Sequence, residues 1–273
     1  MPTLVTDLPR WLRIVVVGVA TTAIIGGGWF IYRHFTRPVI LTVATGSSDG
    51  EAQLLTSTIS ARLTASGALV RLKVVNAGTS AEAADMLTRG RADLAVIRAD
   101  TGGLSDARSV LLVTHGVVLI VASSTVSAEG LGDLHNTTIG VIGGQANRTV
   151  VEALKQVYQF DRAKVSFQNV FVAEAAAALS SGKVHALLAV VPLTENYLAK
   201  IREMFQQNGA KASAPKPIEI ESAGAVANVA QYYESYDIPK GTLRGAPPVP
   251  PDDLTSLRVS FCLSPPNPSM RTR

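Results

Sequence analysis

The chain has a single cysteine, Cys262, so no disulfide can form within it, and cysteine usage says nothing about compartment. Four histidines and that one cysteine show no metal-ligand spacing, which argues against a metal centre. Basic residues occur singly or in loose pairs, with no Lys/Arg run and no interleaved aromatics, so a nucleic-acid groove is not expected. No Gly-x-x-x-x-Gly-Lys-Ser/Thr stretch is present to cradle a nucleotide. No cofactor follows from any motif. The net charge of +4 is small and spread along the chain. With 273 residues, 47% of them hydrophobic, a sizeable core and one or two domains can form.

A long uncharged run is present, from Ile14 to Tyr32. About 20 such residues in a helix cross the hydrocarbon layer of a bilayer. Trp11, Trp29, Phe30 and Tyr32 stand at its two ends, where amphipathic rings favour the interface. Arg10 and Arg13 precede the run and Arg33, His34 and Arg37 follow it, so charge alone does not set orientation. A single-pass anchor that stays attached is expected. The competing reading is a cleaved signal peptide with Gly26-Gly27-Gly28 as its small-residue site.

After Pro38 strands and helices alternate. Val39–Ala44 reads as a strand, followed by a Thr45–Gly50 turn and a helix with Leu54, Leu55, Ile59 and Leu63 on one face. Leu69–Val75 is the next strand, Ala81–Arg89 a helix, and Asp93–Ile97 a third strand. The order β-α-β-α-β implies a parallel sheet with right-handed crossovers. Two apolar runs, Val110–Val113 and Val117–Ala122, are placed to cross between lobes. A second unit repeats the grammar: strand Thr138–Ile142, a Gly-Gly turn, helix Arg148–Tyr158, strand Val165–Val170, helix Ala173–Ser181, strand Ala186–Val191. The helix Ser80–Gly90 aligns in letters with Val172–Gly182, which favours two related lobes.

In such sheets ligands meet the turns at the carboxyl ends of the strands, where helix starts offer N–H groups and partial positive charge. Thr45, Gly46, Ser47, Ser48 and Asp49 form the first such turn, and Thr79 with Ser80 precedes the second helix. Each polar residue there also has a plain reading as a helix cap. Arg98, at the end of the third strand, and Arg148, opening a helix after a Gly-Gly turn, could each grip a carboxylate with two parallel hydrogen bonds. Both could equally be solvated surface arginines. Gly46-Ser47-Ser48-Asp49-Gly50 matches Gly-x-Ser-x-Gly, the nucleophile elbow of hydrolases. It follows the first strand rather than a built sheet, and His115, His135 and His185 sit in no distinctive context, so catalysis by Ser48 is the weaker reading and no enzyme is expected.

The stretches Ala44–Gly50, Asn76-Ala77-Gly78-Thr79-Ser80, Gly90–Val96 with Arg98-Ala99-Asp100, and Tyr236–Gly245 resemble the TAXI family of solute receptors, the binding subunits of one class of TRAP transporters. The resemblance covers roughly residues 39 to 262. It implies two Rossmann-like α/β lobes of a type II periplasmic-binding-protein fold behind an N-terminal transmembrane helix. It also implies residence at the inner membrane with the lobes on the periplasmic side, TRAP membrane subunits as partners, and a small organic anion or amino acid as ligand. A membrane-tethered sensing or partner-binding module is the alternative. Departures are Gln145-Ala146-Asn147 where the family has Ser-Gly-Thr, Arg98 where it favours Gln, and Leu243 where it favours Tyr. The expected organisation is 1–38 anchor, 39–115 first lobe, 116–221 second lobe with crossing strands, 222–263 return towards the first lobe, and 264–273 a tail without structure. The chain is expected to lack the family's last helices, leaving apolar surface on the first lobe.

Overall fold

The computed structural model describes residues 10–46, 50–101, 110–206 and 215–266. The uncharged run forms α1 (Arg10–Phe35). Within it Ile14–His34 has a mean hydropathy of 2.1 and none of it is buried. It is long and apolar enough to span a membrane, a test that an N-terminal signal sequence also passes.

Next come β1 (Val39–Thr45), α2 (Glu51–Ala65), β2 (Val70–Asn76), α3 (Ser80–Thr88) and β3 (Leu94–Arg98). Their strands pair in parallel in the order β2-β1-β3. The glycines that close the helices, Gly67 and Gly90, both take positive φ, the left-handed turn that ends a helix at little steric cost to glycine. One expectation fails locally. Leu54, placed with the apolar face of α2, is 61% exposed, and the inward row is Leu55, Ile59 and Leu63, each half-buried.

The two apolar runs after residue 109 are one strand, β4 (Leu111–Ala122). Then follow β5 (Thr138–Ile142), α4 (Arg148–Tyr158), one-turn α5 (Phe160–Ala163), β6 (Ser166–Val170), α6 (Val172–Ser180) and β7 (Ala186–Val191). The chain ends in α7 (Glu195–Gln206), β8 (Lys216–Pro217), α8 (Ala223–Val229), β9 (Tyr233–Ile238), a small hairpin β10 (Arg244–Gly245) and β11 (Pro248–Val249), and β12 (Leu254–Ser264).

Hydrogen bonding runs unbroken along β2-β1-β3-β12-β4-β7-β5-β6. The strands of the two expected lobes therefore belong to one hydrogen-bonded sheet, joined through two long antiparallel strands. β12 pairs β3 through Phe261–Ser264 and pairs β4 along Leu257–Leu263. β4 then pairs β7 through Val117–Ala122. Ser264, expected to open an unstructured tail, is the last residue of β12, opposite Ala95 and nearly buried; the ladder extends to it because β3 offers a partner. Residues 267–273 lie outside the described residues.

β4 divides the packing by its period of two. Val118, Ile120 and Ala122 face a core completed by α4 and α8, while Val117, Leu119 and Val121 face another completed by α6 and α7. Strand residues buried on both faces need continuous apolar letters, which is what Val117–Ala122 shows. Each fully buried leucine or isoleucine here contributes roughly 1.5–3 kcal/mol of transfer free energy. A third, smaller cluster of Ala44, Ala83, Leu87, Ala95 and Ile97 holds the first half together. That half leaves Val39, Ile40, Leu69, Val70, Leu111 and Leu112 exposed.

Candidate functional site

The carboxyl ends of parallel strands from both halves converge on one cleft of about 290 Å³. From the first half come Gly46 and Gly50 after β1, Glu51 at the start of α2, and Gly78, Thr79 and Ser80 between β2 and α3. From the second come Gly143 and Ala146 after β5, Pro192 after β7, and Tyr197 on α7. Thr114 of β4 and Phe261 of β12 form the floor where the crossing strands pass. A ligand there touches both halves, and strand ends facing each other are where open α/β sheets bind.

Two glycines make the approach possible. A Cβ on Gly46 would stand 3.3 Å from the Ser80 nitrogen, a tight contact that would push the two turns slightly apart. Gly78 has φ +89°, and a Cβ there would meet Glu82 Oε2 at 2.6 Å. Across the cleft the Glu51 N–H donates to the Tyr197 hydroxyl at 3.3 Å. Glu51 Oε2 is buried and has no hydrogen-bond partner. Among the described lining residues Glu51 carries the one formal charge.

The residues expected from sequence divide. Gly46 and Thr79 line the cleft. Thr79 is also the cap of α3: its hydroxyl accepts from the Glu82 N–H at 3.1 Å, and its own N–H donates to Glu82 Oε2 at 3.0 Å. The cap leaves the hydroxyl proton free to donate, so capping is compatible with a place on the cleft wall. Thr45 turns inward instead. It is fully buried, with its hydroxyl near Gln53 Oε1 at 3.3 Å and the Val75 carbonyl at 3.4 Å. Ser47, Ser48 and Asp49 lie outside the described residues.

Arg98 does not line the cleft. It is 5% exposed and grips Asp100 with two parallel bonds, Nε to Oδ1 at 2.5 Å and Nη2 to Oδ2 at 2.7 Å. Nη1 donates to Asn147 Oδ1 at 2.7 Å, and Nη2 also donates to the Ala146 carbonyl. Four of the five N–H groups of a guanidinium are thereby engaged. Asn147 passes the connection on, donating to the Ile142 carbonyl at 2.6 Å. Tyr233 donates its hydroxyl to Asp100. Burial first, then the Asp100 carboxylate, push the Tyr233 hydroxyl far above the ordinary tyrosine value. Arg98 is a clasp between the halves.

Arg148 stands at the start of α4 with its side chain 69% exposed, paired with Glu152 at 2.6 Å one helical turn on. It borders a separate surface hollow with Lys155 and Phe167. The reason both arginines depart from expectation is local: Asp100 lies two residues from Arg98, in the turn that follows β3, and Glu152 lies four from Arg148 on the same helix face. Those spacings were visible in the sequence. Glu51 had no such signal, since a glutamate in the first turn of a helix is ordinary. Tyr197 comes from a helix whose position only the fold supplies.

Solved structures that share this fold include two bacterial proteins. The periplasmic aliphatic sulphonate binding protein SsuA from Escherichia coli matches with a TM-score of 0.50 and 10% identity, over 82% of this chain and 62% of that one. The probable amino-acid ABC transporter extracellular-binding protein ytmK from Bacillus subtilis matches with a TM-score of 0.50 and 13% identity, over 86% of this chain and 88% of that one. The chain thus spans less than two thirds of the length of SsuA. Two α/β halves joined by crossing strands around a cleft are the architecture of the type II periplasmic-binding-protein fold. The NMT1/THI5 like family matches residues 68–207, just over half of the chain, and the protein belongs to it. Comparison with curated proteins finds no match.

Proposed function

We propose that the protein is a membrane-anchored extracytoplasmic receptor that closes two lobes over a small organic solute and presents it to a transporter. The observation that carries this is the convergence of strand ends from both halves on one cleft, bridged by the Glu51–Tyr197 hydrogen bond. The lobes are taken as residues 39–115 and 116–221, hinged on β4 and β12, with α1 as the anchor. A solute that touches both lobes only when they are closed favours closure by its differential affinity. The names of the structural neighbours, a sulphonate binder and an amino-acid binder, support a small organic ligand. The TAXI-like stretches support a TRAP-type transporter as the partner: Gly46 and Gly78–Ser80 form the first-lobe wall of the cleft.

The test is a thermal-shift screen of the full chain in detergent against organic acids, sulfonates, amines and amino acids. A true ligand at 100 times its Kd raises stability by about 2.7 kcal/mol through mass action. Tyr197→Phe, which keeps the ring and removes the bridging hydroxyl, should weaken that ligand. A screen with no shift from any compound refutes the reading.

A further inference from the structure

We infer that the solute carries a cationic nitrogen, a protonated amine or its equivalent, received inside the cleft by the Glu51 carboxylate. This rests on the cleft being the binding site. Glu51 Oε2 is buried and unpartnered, and a buried carboxylate oxygen without a donor loses its hydration with nothing in return. No cation within the described lining compensates it. Arg98, the buried arginine between the halves, is held by Asp100 and Asn147. The adjoining hollow, of about 320 Å³, also reaches Glu51 and contains Arg258 and His115. Arg258, however, is paired with Glu234 at 2.7 Å.

Glu51 is held in place for this role. Its backbone N–H donates to the Tyr197 hydroxyl from the opposite side of the cleft, and the residue lines both the cleft and the adjoining hollow. A plain anion entering the cleft would put a second negative charge beside it, without a lining arginine to offset the repulsion. An ammonium does the reverse, forming a charge-assisted hydrogen bond in a partly desolvated place. A carboxylate on the same solute could be served by the start of α3, where Ser80 lines the cleft and first-turn N–H groups have no partner within the helix. Amino acids and small amines therefore fit the lining better than sulfonates or dicarboxylates.

The experiment compares matched pairs that differ only in the amine, using the full chain in detergent and isothermal titration. The pairs are L-alanine and propionate, L-glutamate and glutarate, γ-aminobutyrate and butyrate, and taurine and ethanesulfonate. The expected result is at least one amine that binds tenfold or more tightly than its amine-free twin. Glu51→Gln should then cut the affinity of that amine at least tenfold without weakening its twin, whose carboxylate or sulfonate no longer meets a like charge. Amine-free acids that bind as tightly as their twins overturn the inference while leaving the receptor reading intact. An unchanged amine affinity in Glu51→Gln overturns it too. Failure of every pair to bind counts against the receptor reading itself. If Glu51→Gln does not fold, the comparison of twins on the unaltered chain decides alone.

Discussion

Arg98 donates from Nη1 to the side-chain oxygen of Asn147 across 2.7 Å, joining the end of β3 to the turn before α4. Both residues are buried. The bond ties the two halves together beside the cleft, in the place where sequence suggested an arginine reaching for ligand. With Asp100 and Tyr233 it forms a polar knot in which every charge has a partner, the condition under which buried charge is tolerated.

Breaking that knot should be costly. Arg98→Ala strands the Asp100 carboxylate and is expected to lower stability by about 3–5 kcal/mol. The double variant Arg98→Met with Asp100→Leu should recover most of the loss, because apolar replacement removes the desolvation cost as well as the attraction. Denaturant melts of the three proteins check this; a nearly neutral Arg98→Ala would show that the knot does not hold the halves.

Arg148→Ala is expected to change neither the melting temperature nor the affinity for any ligand. Its pair with Glu152 is exposed to solvent and salt, and such pairs contribute little. Loss of ligand affinity in this variant would put Arg148 back in the site.

Thr79→Ala removes the cap of α3 and should cost about 1 kcal/mol, whereas Thr79→Ser keeps the accepting oxygen and most of the stability. If the hydroxyl also serves a ligand, Thr79→Ala loses more affinity than its stability loss explains. Thermal melts with and without ligand separate the two effects.

Tyr158 gives an alkaline prediction. Burial is the main cause that raises its hydroxyl to about 12, with hydrogen bonding to Glu221 and Ser222 around it. The folded state therefore holds this proton more tightly than the unfolded chain, whose tyrosines titrate near 10. The stability it contributes is complete below about pH 10 and is lost as pH rises towards 12. Tyr158→Phe should flatten that part of the stability curve. An unchanged curve would mean that other groups set the alkaline limit.

The anchor can be weighed directly. Intact-mass analysis of membrane-extracted protein is expected to find residues 14–32 attached. A mature chain beginning near Trp29 would identify the run as a signal peptide.

Much of the architecture was legible in the letters. Continuous apolar runs such as Val117–Ala122, glycines after helices and alternating periods placed β5, α4 and β7 at the residues where they stand, because burial and backbone propensity act locally. Two of the turns singled out in the sequence meet in the cleft, which Gly46 and Thr79 line. What it could not decide is which polar groups meet across long separations. Arg98 finds Asn147 and Glu51 finds Tyr197 only after β4 and β12 bring two independently patterned halves together. A charge in a sequence has no sign of its partner, and whether it neutralises a neighbour or waits for a ligand depends on the low-dielectric contacts that the fold creates. The structure thus turned the two arginines away from the cleft and left a glutamate facing it.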